Sequence, residues 1–118
     1  MIDLEYGATY FQVTFADPGL TMPGIKPLVY IGANLIGDEE ENTHYFQDPV
    51  SVQVHGLWQE AENKNECPVY TCADQHIGTD IVSIEQASRV MEESVSKAKE
   101  LGFPKLRRLK GPWVQGKP

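Results

Sequence analysis

Long apolar runs are missing from this chain of 118 residues. The fullest, LVYIGA at 28–33, falls far short of the ~20 residues a membrane-spanning helix requires, so no membrane partner is expected. The opening MIDLEYG has no basic patch followed by an apolar stretch, which reads as no secretory signal. Cysteine is scarce, with two in all. Two thiols without a leader fit a reducing compartment, and the expected localisation is cytoplasmic. Bases are nearly absent from most of the chain: over 1–94 only Lys26, Lys64 and Arg89 stand against 16 acids, a balance of −13. Such a surface repels a phosphate backbone, so no nucleic-acid partner is expected. Walker spacing, G-x-S-x-G and H-E-x-x-H do not occur, and YIGANLIG lacks the dinucleotide spacing. No cofactor is expected.

What is present is an ordinary globular composition, 41% apolar and 23% charged, in a chain sized for one core. A single domain over 1–118 is expected, with 105–118 as a basic tail. Residues 95–118 hold seven bases and one acid, a balance of +6 that offsets the acidic body to a net −7.

Period-two alternation in TYFQVTFAD sets Phe11, Val13 and Phe15 against Tyr10, Gln12 and Thr14, which predicts a half-buried strand. DPGLTMPGIKP is dense in proline and glycine and reads as a loop. LVYIGANLI, apolar almost throughout, reads as a central strand. In HYFQDPVSVQVHG, Val50, Val52 and Val54 alternate with polar residues and favour a strand. The alternative is a short helix, for which Asp48 is a suitable N-cap, Pro49 a suitable first residue and Gly56 a suitable stop. CPVYTCA reads as another short strand. The last element is a helix: Ser83 and Gln86 have capping-box spacing, and Ile84, Ala87, Val90, Met91, Val95, Ala98 and Leu101 recur at helical intervals before Gly102. Together these predict an α+β fold, a mainly antiparallel sheet of four to five strands with one C-terminal amphipathic helix on one face.

CPVYTCADQH, at 67–76, gathers both cysteines, one histidine and one acid. On an extended strand an odd separation turns Cys67 and Cys72 to opposite faces, about 16 Å apart, too far for a disulfide. The intervals between His55, Cys67, Cys72 and His76 do not match the paired short spacings of zinc sites, so no metal is expected. Cys72, Asp74 and His76 are the candidates for nucleophile and acid–base work, provided a turn at 73–75 draws them together. The other concentration of charge is Asp38, Glu39, Glu40 and Glu41, four consecutive acids that must lie in a solvated turn. They lack the alternation and glycine of a calcium loop.

LVYIGANLIG followed by HYFQDPVSVQVHG resembles a loose group of small bacterial proteins that carry a Y-x-G strand, here Tyr30 and Gly32, and then a Y-F-Q-D segment, here Tyr45 to Asp48. The likeness spans about a quarter of the chain. It implies a bacterial, cytoplasmic origin; the group has no established activity, so it assigns no catalytic residue.

Three functional expectations follow. The first is a non-enzymatic protein-binding module that masks a basic protein partner through Asp38–Glu41, in the manner of an immunity protein. The second is a small-ligand-binding or hydrolytic domain built on Cys72, Asp74 and His76. The third is a structural homo-oligomer, a homodimer pairing through an exposed edge strand.

Overall fold

The computed structural model describes residues 3–102; the basic tail at 105–118 lies outside them. Five strands form one antiparallel sheet in the order β4-β3-β2-β1-β5: β1 Thr9–Phe15, β2 Pro23–Ala33, β3 Thr43–Gln47, β4 Val69–Ala73 and β5 Ile81–Val82. Two helices complete the α+β fold, α1 Pro49–His55 and α2 Ile84–Glu100.

β2 extends into the stretch that proline content marks as a loop. Tyr30 N–H donates to Ala8 O (3.0 Å), which fixes the alternation: even-numbered residues of β2 turn their amides toward β1. Pro23 and Pro27 therefore point the side without an N–H toward β3, and β3 pairs only with Val29 to Ala33. Proline is tolerated where no ladder bond is required.

One sheet face carries Tyr10, Leu28, Tyr30, Phe46, Cys72 and Ile81, packed with Ile77 and flanked by Leu4, Ala8 and Tyr70. The N-terminal segment is tied there by the Tyr10 hydroxyl, which accepts from Glu5 N–H (2.8 Å) and donates to Asp3 O (3.3 Å). The opposite face carries both helices. Phe15 and Leu20 line, with Val90 and Ser94 of α2, a small open cleft of about 70 Å³.

Residues 49–55 form a helix, which corrects the expected strand. Asp48 accepts from the amides of Val50 and Ser51, Pro49 opens the first turn, and Gly56 takes φ 77° at the end. The N-cap, worth about 1 kcal/mol, acts together with Pro49 at the first position and Gly56 at the end to offset the several tenths by which each of the three valines disfavours a helix. α2 begins as its sequence requires, with Ser83 Oγ accepting from Gln86 N–H (3.2 Å), and ends before Gly102 at φ 89°. Its buried face is narrower than the apolar stripe. Ala87 and Ser94 are covered, whereas Ile84, Met91, Val95 and Leu101 are exposed.

Candidate functional site

Seven of the acidic residues sit on two neighbouring segments. The first is the connection from β2 to β3. Asn34, at φ 54°, donates its N–H to Thr43 O (2.8 Å) and accepts Thr43 N–H on Oδ1 (2.9 Å), closing the loop at its base. Within it the Glu39 carboxylate accepts from the amides of Ile36 (3.1 Å) and Gly37 (2.8 Å) and from the Tyr45 hydroxyl. Glu39 thus shapes the loop, while Asp38, Glu40 and Glu41 face solvent.

The second segment follows α1. A 3₁₀ turn at Trp58–Glu60 and another at Lys64–Glu66 carry Glu60 and Glu66, with Glu62 on the link between them, and these three line a cleft of about 420 Å³ with Val54, His55, Ala61 and Asn63. His55 Nδ1 lies 4.0 Å from Glu66. Trp58 stacks on Tyr45 at 6.4 Å and 15°, so the chain Glu39–Tyr45–Trp58 joins the acidic loop to the acidic cleft. Gln47 secures the segment from beneath. It is fully buried, donating to Ser51 Oγ (3.0 Å) and Gly56 O (2.9 Å) and accepting Trp58 N–H (2.9 Å).

Among the described residues no lysine lies within ion-pair distance of these acids. Lys64 donates to the carbonyls of Gln59 and Ala61 and lies over the Trp58 ring; Lys26 donates to the Tyr70 hydroxyl. The histidine–carboxylate contacts described are His44–Asp74, His55–Glu66 and His76–Asp80.

The hydrogen bond between Glu39 and Tyr45 lowers the Glu39 pKa, an effect its two backbone donors reinforce. The same bond, with burial, pushes the Tyr45 phenol up to about 12. A raised tyrosine contributes stability that is complete below its unfolded value of 10.0 and lost as pH climbs toward about 12. Tyr45→Phe is therefore expected to lower the melting temperature at neutral pH. The gap to wild type should close between pH 10 and about 12, and close again in acid as Glu39 protonates. Melting curves across pH check this; a constant gap counts against the pair.

The residues of CPVYTCADQH divide among different partners. Cys67 precedes β4 and Cys72 lies within it; both are buried and free. Burial, then Asp80 and Asp74, push the Cys72 thiol up to about 11, so it stays protonated at neutral pH and is a poor nucleophile. Asp74 turns to His44, Oδ1 to Nε2 at 2.7 Å, while exposed His76 has Asp80 at 3.9 Å. His44 Nδ1 in turn lies 3.1 Å from the Tyr30 hydroxyl. With a carboxylate at Nε2, that nitrogen holds a proton, and Nδ1 shares a hydrogen bond with the Tyr30 hydroxyl. Asp74–His44–Tyr30 is thus a polar chain across β2, β3 and the end of β4, and it satisfies the phenol of a tyrosine only 9% exposed. Burial raises the Tyr30 pKa, which keeps the phenol neutral. The three clefts described are lined by other residues. Among the described residues no group of three or more His, Cys, Asp or Glu is placed to hold a metal, and no helix is long and apolar enough to cross a membrane.

Sequence reasoning missed His44, Tyr45, Trp58 and the cleft acids. His44 and Asp74 are 30 residues apart and meet only because β3 pairs with β4, His44 opposite Cys72. Compared with protein-family models, curated proteins and solved structures, the chain matches none.

Proposed function

We propose that this chain is a non-enzymatic protein-binding module whose acidic surface takes a basic protein partner. The observation that carries the reading is the coupling of two acidic segments, Asp38–Glu41 and Glu60–Glu66, through Glu39, Tyr45 and Trp58. Exposed Asp38, Glu40 and Glu41, and the cleft acids Glu60, Glu62 and Glu66, supply the charge; Glu39 fixes the loop that presents them. Charge of one sign on a rigid frame attracts the opposite sign at long range and accelerates association. Two buried, unpaired thiols support a cytoplasmic setting.

The test is binding to lysine- and arginine-rich peptides. Each rim charge contributes about 0.5–1 kcal/mol at low salt, so reversing Asp38, Glu40 and Glu41 together to lysine should weaken binding roughly tenfold or more. The effect should shrink with added salt. Reversing Glu85 and Glu92 on α2 should have little effect. Equal losses from both sets would mean that net charge alone attracts the peptide.

A further inference from the structure

The sheet has two edges, and they differ. β5 is only two residues long and leads directly into α2. β4 has five residues, VYTCA, with no charge and no proline inside the strand, and pairs with β3 in unbroken register. Among the described residues no strand pairs with its outer side. Native sheets usually blunt such an edge with charge, proline, a bulge or brevity. β5 is blunted by brevity; β4 has none of these devices.

The hydrogen-bond phase of that edge can be read from one contact. Asp74 N–H donates to Asn42 O (2.9 Å), so the hydrogen-bonded pairs of this ladder are His44–Cys72 and Phe46–Tyr70. Val69, Thr71 and Ala73 consequently aim their amides and carbonyls away from β3. Cys72 Sγ reaches the Ala73 carbonyl at 3.4 Å, which leaves three amides and two carbonyls to the outside.

Charge decides what fits there. Glu66 precedes β4 and Asp74 follows it, with side chains 60% and 48% exposed. A second copy paired antiparallel about Thr71 would bring Asp74 of each chain to the end where the other's Glu66 lies, and would join two chains of net charge −7. An extended basic segment meets the same carboxylates favourably. We propose that the basic partner docks by adding a strand to β4, its backbone paired with Val69, Thr71 and Ala73 and its lysines or arginines reaching Glu66 and Asp74. This rests on the basic-partner reading above and extends it from a charged surface to a backbone-mediated site.

The experiment uses the full chain and a short peptide of alternating lysine and valine. A second peptide is N-methylated at alternate residues, so that it keeps its charge and cannot donate along one edge. Affinity is read by fluorescence anisotropy and amide exchange by NMR. In the free protein the amides of Val69, Thr71 and Ala73 should exchange faster than those of Tyr70 and Cys72. The unmodified peptide should slow those three by about tenfold or more, and N-methylation should weaken binding by about tenfold or more. Thr71→Pro removes an outward amide without breaking the β3 ladder and should produce a similar loss; the peptide pair leaves the protein unaltered, so the test survives misfolding of that variant. Equal binding of both peptides, lost on reversal of Asp38, Glu40 and Glu41, overturns strand addition and leaves the acidic-surface reading standing. A concentration-dependent dimer protected at the same three amides overturns the basic occupant in favour of a second copy. Absence of peptide binding with unchanged exchange overturns both readings.

Discussion

A Gln47→Leu variant is expected to melt roughly 10–15 °C below the wild type, the loss that about 3 kcal/mol produces in a domain of this size. Leucine nearly conserves the volume, so no large cavity forms and packing is not the cause. What disappears is the hydrogen bonding that joins β3 to the chain after it. Gln47 is completely buried, and its amide group serves Ser51 Oγ, Gly56 O and Trp58 N–H. Each of the three hydrogen bonds lost contributes about 1 kcal/mol, against which the apolar side chain returns a smaller transfer gain. All three partners lie on residues 51–58, so the first structure to loosen should be α1 and the Trp58 stack on Tyr45. Gln47→Glu supplies a control with a definite pH signature. Its carboxylate keeps the acceptor for Trp58 but sets negative charge against the Gly56 carbonyl. That variant should recover part of its deficit in acid, where the protonated group regains a donor. A Gln47→Leu melting temperature within two degrees or so of wild type would show that the segment is held by something else.

Much of this fold was legible because its signals are local. Ser83, the spaced apolar residues and Gly102 specify α2 without reference to the rest of the chain, and Phe11, Val13 and Phe15 specify a half-buried strand. The valines at 50, 52 and 54 misled for a local reason as well: alternation implies a buried face, yet Val50 and Val54 are about two-thirds exposed, at 68% and 67%. Asp48, Pro49 and Gly56 decided the matter through the backbone. Pro23 and Pro27 misled for a non-local reason. Whether a strand tolerates proline depends on which of its sides has a neighbour, and the short reach of β3 is not written in the residues of β2.

The site divides in the same way. Asp38 to Glu41 is conspicuous in the sequence, and its solvation follows from charge alone. That Glu39 is committed to Ile36, Gly37 and Tyr45 depends on a turn whose shape Asn34 and Gly37 set. The open side of β4 is less legible still, since strand order is a property of the whole sheet. CPVYTCADQH drew notice through residue types, yet strand pairing sends Asp74 to His44 and a local turn places Asp80 beside His76. Its middle, VYTCA, is the unprotected edge.

Gly32→Val should destabilise the protein by about 3 kcal/mol, and the reason ties a backbone irregularity to the acidic surface. The register between β2 and β3 shifts between Tyr30 and Gly32. The carbonyl of Ile31, inside that bulge, accepts from Gln59 Nε2 at 2.7 Å, adjacent to Glu60 on the cleft segment. Gly32 itself sits at φ +134°, and a Cβ there would meet Leu35 Cδ2 at 2.9 Å. Backbone strain of this kind costs on the order of 1–3 kcal/mol, and displacing the end of the half-buried Leu35 side chain adds up to about 1 kcal/mol. Gly37→Val separates the two contributions. Gly37 also has positive φ, +97°, but its Cβ would meet nothing within 4 Å, so only the backbone contribution of about 2 kcal/mol should remain. Urea denaturation of both variants measures the difference, and equal costs would rule out the Leu35 contact as a cause. If the bulge also orients the acidic loop, Gly32→Val should weaken basic-peptide binding at temperatures where the variant is still folded. A stable fraction that binds at wild-type affinity would uncouple the bulge from the surface it precedes.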